Sequence, residues 1–255
     1  MSPRCLLAAI GAVWIMPACA TSSIQREASL AARRIPPDST IVVVPTRVPS
    51  WLAVPEDTLR ALDSLIVARL VSTGQPVVAP QTYTAVWDSI LRRYEGLRLA
   101  TAGPLPPDRF QRAQARLFDQ LRTQYRAAAL VYPEIVFHYA GWKGRTASWD
   151  GVSQRIEGKD EGVWGFLKLV ITSEDDLGGT VAALSLVVYL QSLEGEDLYV
   201  HRGGLELISR YQDGEFVNIE QGVIDDPDHR SRAVYLALEP LFEALRHRAG
   251  KSAAD

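Results

Sequence analysis

Thr40-Ile41-Val42-Val43-Val44-Pro45 (TIVVVP) is the stretch from which the rest of the chain can be placed. Its β-branched side chains follow one another with no helical spacing, and such residues lose freedom in a helix but pack well on a pleated sheet. An uninterrupted apolar run of this kind fits a strand buried on both faces. It opens the sheet.

Downstream, Pro55-Glu56-Asp57 supplies a proline at a helix start with acids in the first turn, and Leu59, Leu62, Ile66 and Leu70 recur at helical spacing until Gly74. Pro76 to Pro80 (PVVAP) reads as a short strand at an edge, because proline cannot donate to a ladder. Thr82 to Tyr94 reads as a second helix. Gly103-Pro104 and Pro106-Pro107 then break regular structure, and Asp108 caps a helix to about Arg126 whose apolar face is Phe110, Ala113, Leu117 and Leu121.

The next segments are strand-like. Ala128 to Tyr139 is one, with Pro133 interrupting or bulging it. Arg145 to Ile156 and Val163 to Thr172 form an expected hairpin across the polar turn Glu157 to Gly162. Thr180 to Ser192 and Leu198 to Ile208 form a second hairpin across Glu194-Gly195-Glu196-Asp197. Pro227-Asp228 starts the last helix, in which Val234, Leu238, Leu241, Phe242 and Leu245 make one face and Arg246, His247 and Arg248 suit its negative end. The expected class is α+β, a mixed β-sheet packed by helices, with an inserted β-hairpin.

The N-terminus reads as an address. Arg4 precedes the apolar run Cys5 to Pro17 and the small residues Ala18-Cys19-Ala20, the order of a bacterial export signal. The run falls short of the roughly 20 apolar residues of a membrane span. Met16-Pro17-Ala18-Cys19 resembles a lipobox, with Cys19 acylated as the new N-terminus, while Ala18-Cys19-Ala20 also fits ordinary signal peptidase. The expected organisation is a signal peptide over 1–18, a lipid-anchored flexible tether over 19–38, one globular domain over 39–248 and a disordered tail over 249–255. Removing residues 1–18, with one basic side chain and no acid, takes the formal charge from −3 to −4.

The chain has 255 residues, 27 basic and 30 acidic, so no cationic field points to nucleic acid. Both cysteines, Cys5 and Cys19, lie in the leader region, which leaves the body without a disulfide, a cysteine metal site or a thiol nucleophile.

The order of elements resembles the bacterial envelope lipoproteins around the curli-secretion subunit, the N-terminal domain of TolB and the LpoB activators. Thr40 to Pro45 stands at that family's opening strand, Ala127-Ala128-Ala129-Leu130-Val131 at the strand after its "GADY", and Leu184 to Tyr189 through Leu193-Glu194-Gly195-Glu196 at its "L-x-L-V-D-V-x-T-G-E" hairpin. The match covers about residues 38 to 247, with Tyr189 where an Asp often stands and an insertion over about 140 to 178. The resemblance implies a non-enzymatic domain that docks envelope proteins, sometimes in a ring. Pore formation is not implied, because Arg155, Glu157, Lys159, Asp160 and Glu161 suit a solvated turn better than a lipid-facing hairpin.

The histidines 138, 201, 229 and 247 show no ligand spacing, so no metal is expected. Glu134 and His138, four apart in a strand, lie about 13 Å from each other and cannot share a proton. Asp225, Asp226 and Asp228 fit helix capping better than a calcium loop. Glu174-Asp175-Asp176 fits a solvated turn, and the glycine pairs 178–179 and 203–204 fit turns or bulges. No G-x-S-x-G elbow or Ser-x-x-Lys pair occurs, so no catalytic residue or cofactor is expected. Trp142, Trp149 and Trp164 cluster in the insertion; core packing is their first reading, and a partner surface is the alternative, as tryptophan dominates binding hot spots.

The expected function is a lipid-anchored envelope protein facing the periplasm, held on acylated Cys19, that binds an envelope protein or a second copy of itself. The alternatives are a tethered hydrolase with an unfamiliar site and a small-ligand or glycan binder that uses the tryptophans.

Overall fold

In the structure, a computed structural model that describes residues 18–93, 107–156, 178–212, 215–219 and 223–252, the TIVVVP stretch is an interior strand, β1 (Thr40–Val43), with all four side chains buried. Alternation sends Ile41 and Val43 into one hydrophobic core and Val42 and Val44 into another. The first core is closed by helices α1 (Ala18–Arg34), α2 (Glu56–Val71) and a long C-terminal helix, α5 (Pro227–Ser252). Helices α3 (Pro80–Arg93) and α4 (Pro107–Tyr125) close the second.

The sheet has seven strands and is mixed, giving the α+β architecture expected. Its spine is β3 (Ala127–Lys143). On one edge β3 carries β1 in parallel, with the short β2 (Val77–Val78) outside it, and further along the antiparallel hairpin β4 (Thr146–Trp149) and β5 (Val152–Arg155). Along its other edge lies antiparallel β6 (Gly178–Ser192), followed by β7 (Asp197–Leu207). A separate two-stranded hairpin, β8 (Ser209–Gln212) and β9 (Glu215–Asn218), follows.

Several expectations change here. Residues 18–34 are not a flexible tether. Ala28, Ala31 and Ala32, with Ile35 just beyond the helix, form a stripe exposed by 2% or less that packs with α5, while Gln25, Arg26, Glu27, Ser29, Arg33 and Arg34 face solvent. Residues 249–252 continue α5 instead of starting a disordered tail. Arg145 to Ile156 is itself a hairpin, because Asp150 (φ 37°) and Gly151 (φ 81°) form a two-residue left-handed turn suited to the twist of paired strands. The partner strand expected at Val163 to Thr172 lies outside the described residues.

Pro133 does not interrupt β3. The carbonyls of Val131 and Pro133 accept N–H bonds from Val44 and Arg47, so the nitrogen of Pro133 faces the same edge, where β1 has ended. Its missing donor falls where the ladder is already broken. The end of the sheet toward which β1 and β3 run is called the upper end below.

Candidate functional site

Packing at the upper end depends on Gly203-Gly204, where sequence suggested a turn or bulge. A register shift does occur beside Gly204. Both residues belong to β7, however, and close approach is their main role. A Cβ on Gly203 would lie 2.2 Å from the carbonyl oxygen of Ala233 in α5, and one on Gly204 would lie 2.1 Å from Val152. The bare backbone lets α5 and the β4–β5 hairpin press on opposite faces of β7. Gly178-Gly179 likewise starts β6 and leaves room for the Trp142 indole.

The hairpin is fastened by polar contacts. Gly204 N–H donates to the Asp150 carbonyl (3.0 Å), Ser185 Oγ to Asp150 Oδ2 (2.6 Å), and Trp149 Nε1 to the Leu184 carbonyl (3.0 Å). Gln154 on β5 accepts the Leu207 N–H through Oε1 (2.9 Å), capping β7 with a side chain. Its Nε2 lies 3.4 Å from each ring nitrogen of His229, in the first turn of α5.

Gln154, Leu207 and His229 line an open cleft of about 400 Å³, with Arg155, Glu206 and Arg210 among its walls. His229 Nδ1 faces Glu206 Oε2 at 3.4 Å and its Nε2 faces Asp226 Oδ2 at 3.7 Å. Burial raises the Glu206 pKa against the opposing pull of His229, whereas Asp226 is lowered, chiefly because it accepts the Asp228 N–H (2.8 Å). Asp226 is therefore a capping residue, as its sequence position suggested. The hydroxyls at the cleft are engaged elsewhere: Ser153 with Ser148, and Ser209 with the Ala182 N–H.

A second feature lies on the face that helices cover lower down. The loop after β1 is pinned by buried Asp63, whose Oδ1 accepts both the N–H (3.1 Å) and Oγ1 (2.5 Å) of Thr46, and burial raises its pKa. Farther along that loop, Trp51 meets Phe137 edge-on at 6.2 Å, and Phe137 meets Tyr139 at 4.9 Å. All three are exposed, at 49%, 38% and 64%. Two of the rings stand on β3 and one on the loop after β1, so together they leave an exposed aromatic patch on this face.

Trp142 and Trp149 follow the core reading, and the alternative of a partner surface is corrected for these two. Trp142 and Trp149 are exposed by only 8% and 6% and pack with Ala140, Val152, Val181 and Ala183 inside the hairpin. They face inward because β3 and β4 alternate and the hairpin folds over the sheet. Trp164 lies outside the described residues, as does Glu174-Asp175-Asp176. Cys19 falls in the first turn of α1. Glu134 pairs with Arg47 at 3.0 Å and not with His138. His201 sits in a shallow pocket with Ile24, Asp150 and Leu236, and burial lowers its pKa. Among the described residues no His, Cys, Asp or Glu cluster could hold a metal, and no helix is long and apolar enough to cross a membrane.

The Asp150-Gly151 turn was detectable as a dipeptide. The meeting of Gln154, Glu206 and His229 was not, because they stand on three elements far apart in sequence. No family model matches the chain, and comparison with curated proteins finds no match.

Proposed function

We propose that the chain is a bacterial envelope lipoprotein, held on acylated Cys19 and facing the periplasm, whose α+β domain binds another envelope protein and performs no chemistry. The observation that carries the binding reading is the state of the His229 cleft. Both imidazole nitrogens face carboxylates, and the hydroxyls beside them serve the fold. A hydroxyl nucleophile and an imidazole with a free nitrogen are what covalent hydrolysis of the serine–histidine kind needs. Donors and acceptors of both kinds, on a rigid rim of β5, β7 and α5, suit recognition of polar groups on a partner.

The test uses photo-crosslinking side chains placed at Arg155 and Arg210 in cells, with Arg116 on α4 as the control. A discrete envelope partner captured from the cleft but not from α4 supports the reading. Equal capture at all three, or none, removes it. Mass spectrometry of the mature N-terminus tests the anchor separately, since an unmodified N-terminus at Thr21 ends the lipoprotein proposal.

One observation favours the hydrolase reading. Glu206 is half-buried with a raised pKa beside His229, the setting of a general acid. A hydrolytic activity abolished in Glu206→Gln, with the fold intact, would replace binding by catalysis.

A further inference from the structure

We infer that the aromatic cluster Trp51–Phe137–Tyr139 rests on the lipid bilayer that holds Cys19. The inference depends on the proposal that Cys19 is acylated, and starts from the direction of α1.

Near its start, Ile24 shares a pocket with Val200, His201, Arg202 and Leu236. At its end, Arg34 pairs with Glu196 (2.5 Å), and Arg248 of α5 donates to the Ala32 carbonyl (2.5 Å) and to that of Ile35. Helix α1 therefore runs antiparallel to β7 and parallel to α5, with its N-terminus toward the upper end. Cys19 stands five residues before Ile24, about 7.5 Å along a helix axis. Acylated Cys19, the first residue of the mature chain, thus stands toward the end that carries the three exposed rings. Docking of α1 replaces a loose linker with a short strut.

The chemistry of the cluster fits the same occupant. Tryptophan and tyrosine favour the headgroup level of a bilayer, where an apolar ring and a polar tip are both satisfied. The formal charge of −4 left once residues 1–18 are removed gives no electrostatic attraction to anionic lipid, so the contact is apolar and persists on a zwitterionic surface at high salt.

The experiment uses the acylated protein in phosphatidylcholine vesicles. A single fluorophore is attached at Trp51→Cys or Tyr139→Cys, two independent exposed sites, or at Glu194→Cys in the turn at the opposite end of β6. Nitroxide-bearing lipids are expected to quench positions 51 and 139 and spare 194, with aqueous iodide giving the reverse order. Iodide quenching at 51 and 139 equal to that at 194, on protein whose acylation is verified by mass, overturns this orientation and leaves the anchor standing. A mass showing Cys19 unacylated overturns both.

Discussion

The lower and upper halves of β3 are one strand in two environments. From Ala127 to Ile135 it lies between helices on both faces, and Ala129, Leu130, Val131 and Ile135 are exposed by 1% or less. From Val136 to Lys143 burial alternates, with Phe137 and Tyr139 outward and Ala140 and Trp142 inward under a hairpin. Helices hold the lower half by apolar area. The upper half adds to its smaller core side-chain-to-backbone bonds from Trp149 and Gln154 and glycine-permitted contact. The difference shows where stability is concentrated and where surface is left for recognition.

The comparison breaks first if truncation costs the same in both halves. Leu130→Ala should cost about 3 kcal/mol, the range for a fully buried leucine, while Phe137→Ala should change stability by less than about 0.5 kcal/mol. Urea midpoints at constant slope check this, and equal losses would mean that the exposed ring supports the fold.

Next in size is Gly203→Ala. The added methyl must move the backbone of α5, so a loss of about 2 to 3 kcal/mol is expected. Gly144→Ala, at φ 62° with open space around it, should cost only about 1 kcal/mol, from backbone strain. Similar values for the two would show that α5 gives way freely.

Arg248→Ala sharpens the account of the lower end. Its guanidinium also donates to Gln75 Oε1 (2.7 Å), tying the end of α1 to the turn before β2. Losing these charge-assisted bonds should cost about 2 kcal/mol. Tryptic cleavage at Arg33 and Arg34 should speed up more than global unfolding explains.

The smallest effect is on pH dependence. Burial lowers the His201 pKa below its ordinary 6.5, so its stability contribution is present above that value and is lost as pH falls through the folded pKa. His201→Gln should flatten the acid limb of a stability profile below pH 6.5. An unchanged slope would place that limb's proton uptake elsewhere.

Periodicity exposed the helices α2, α4 and α5, because each buries one face and repetition marks that face, while two apolar runs about the turn at Gly195 marked the β6–β7 hairpin. It failed at α1, where the buried stripe is mostly alanine and the rest polar, so helix and linker have nearly the same composition. Sequence left two readings open at Trp142 and Trp149, since clustering along the chain is blind to which side of a folded-over hairpin a ring faces.

Sequence alone determined the α+β class, the interior place of TIVVVP, the capping role of Asp226 and the candidacy of Cys19, because each rests on local pattern or on neighbours along the chain. Asp108, expected as a cap, lies instead inside the first turn of α4 and pairs with Arg112. Tertiary structure decided which aromatic rings meet water, what the glycine pairs are for and that His229 faces Glu206. These depend on distant segments being brought together, and local pattern carries no record of that distance.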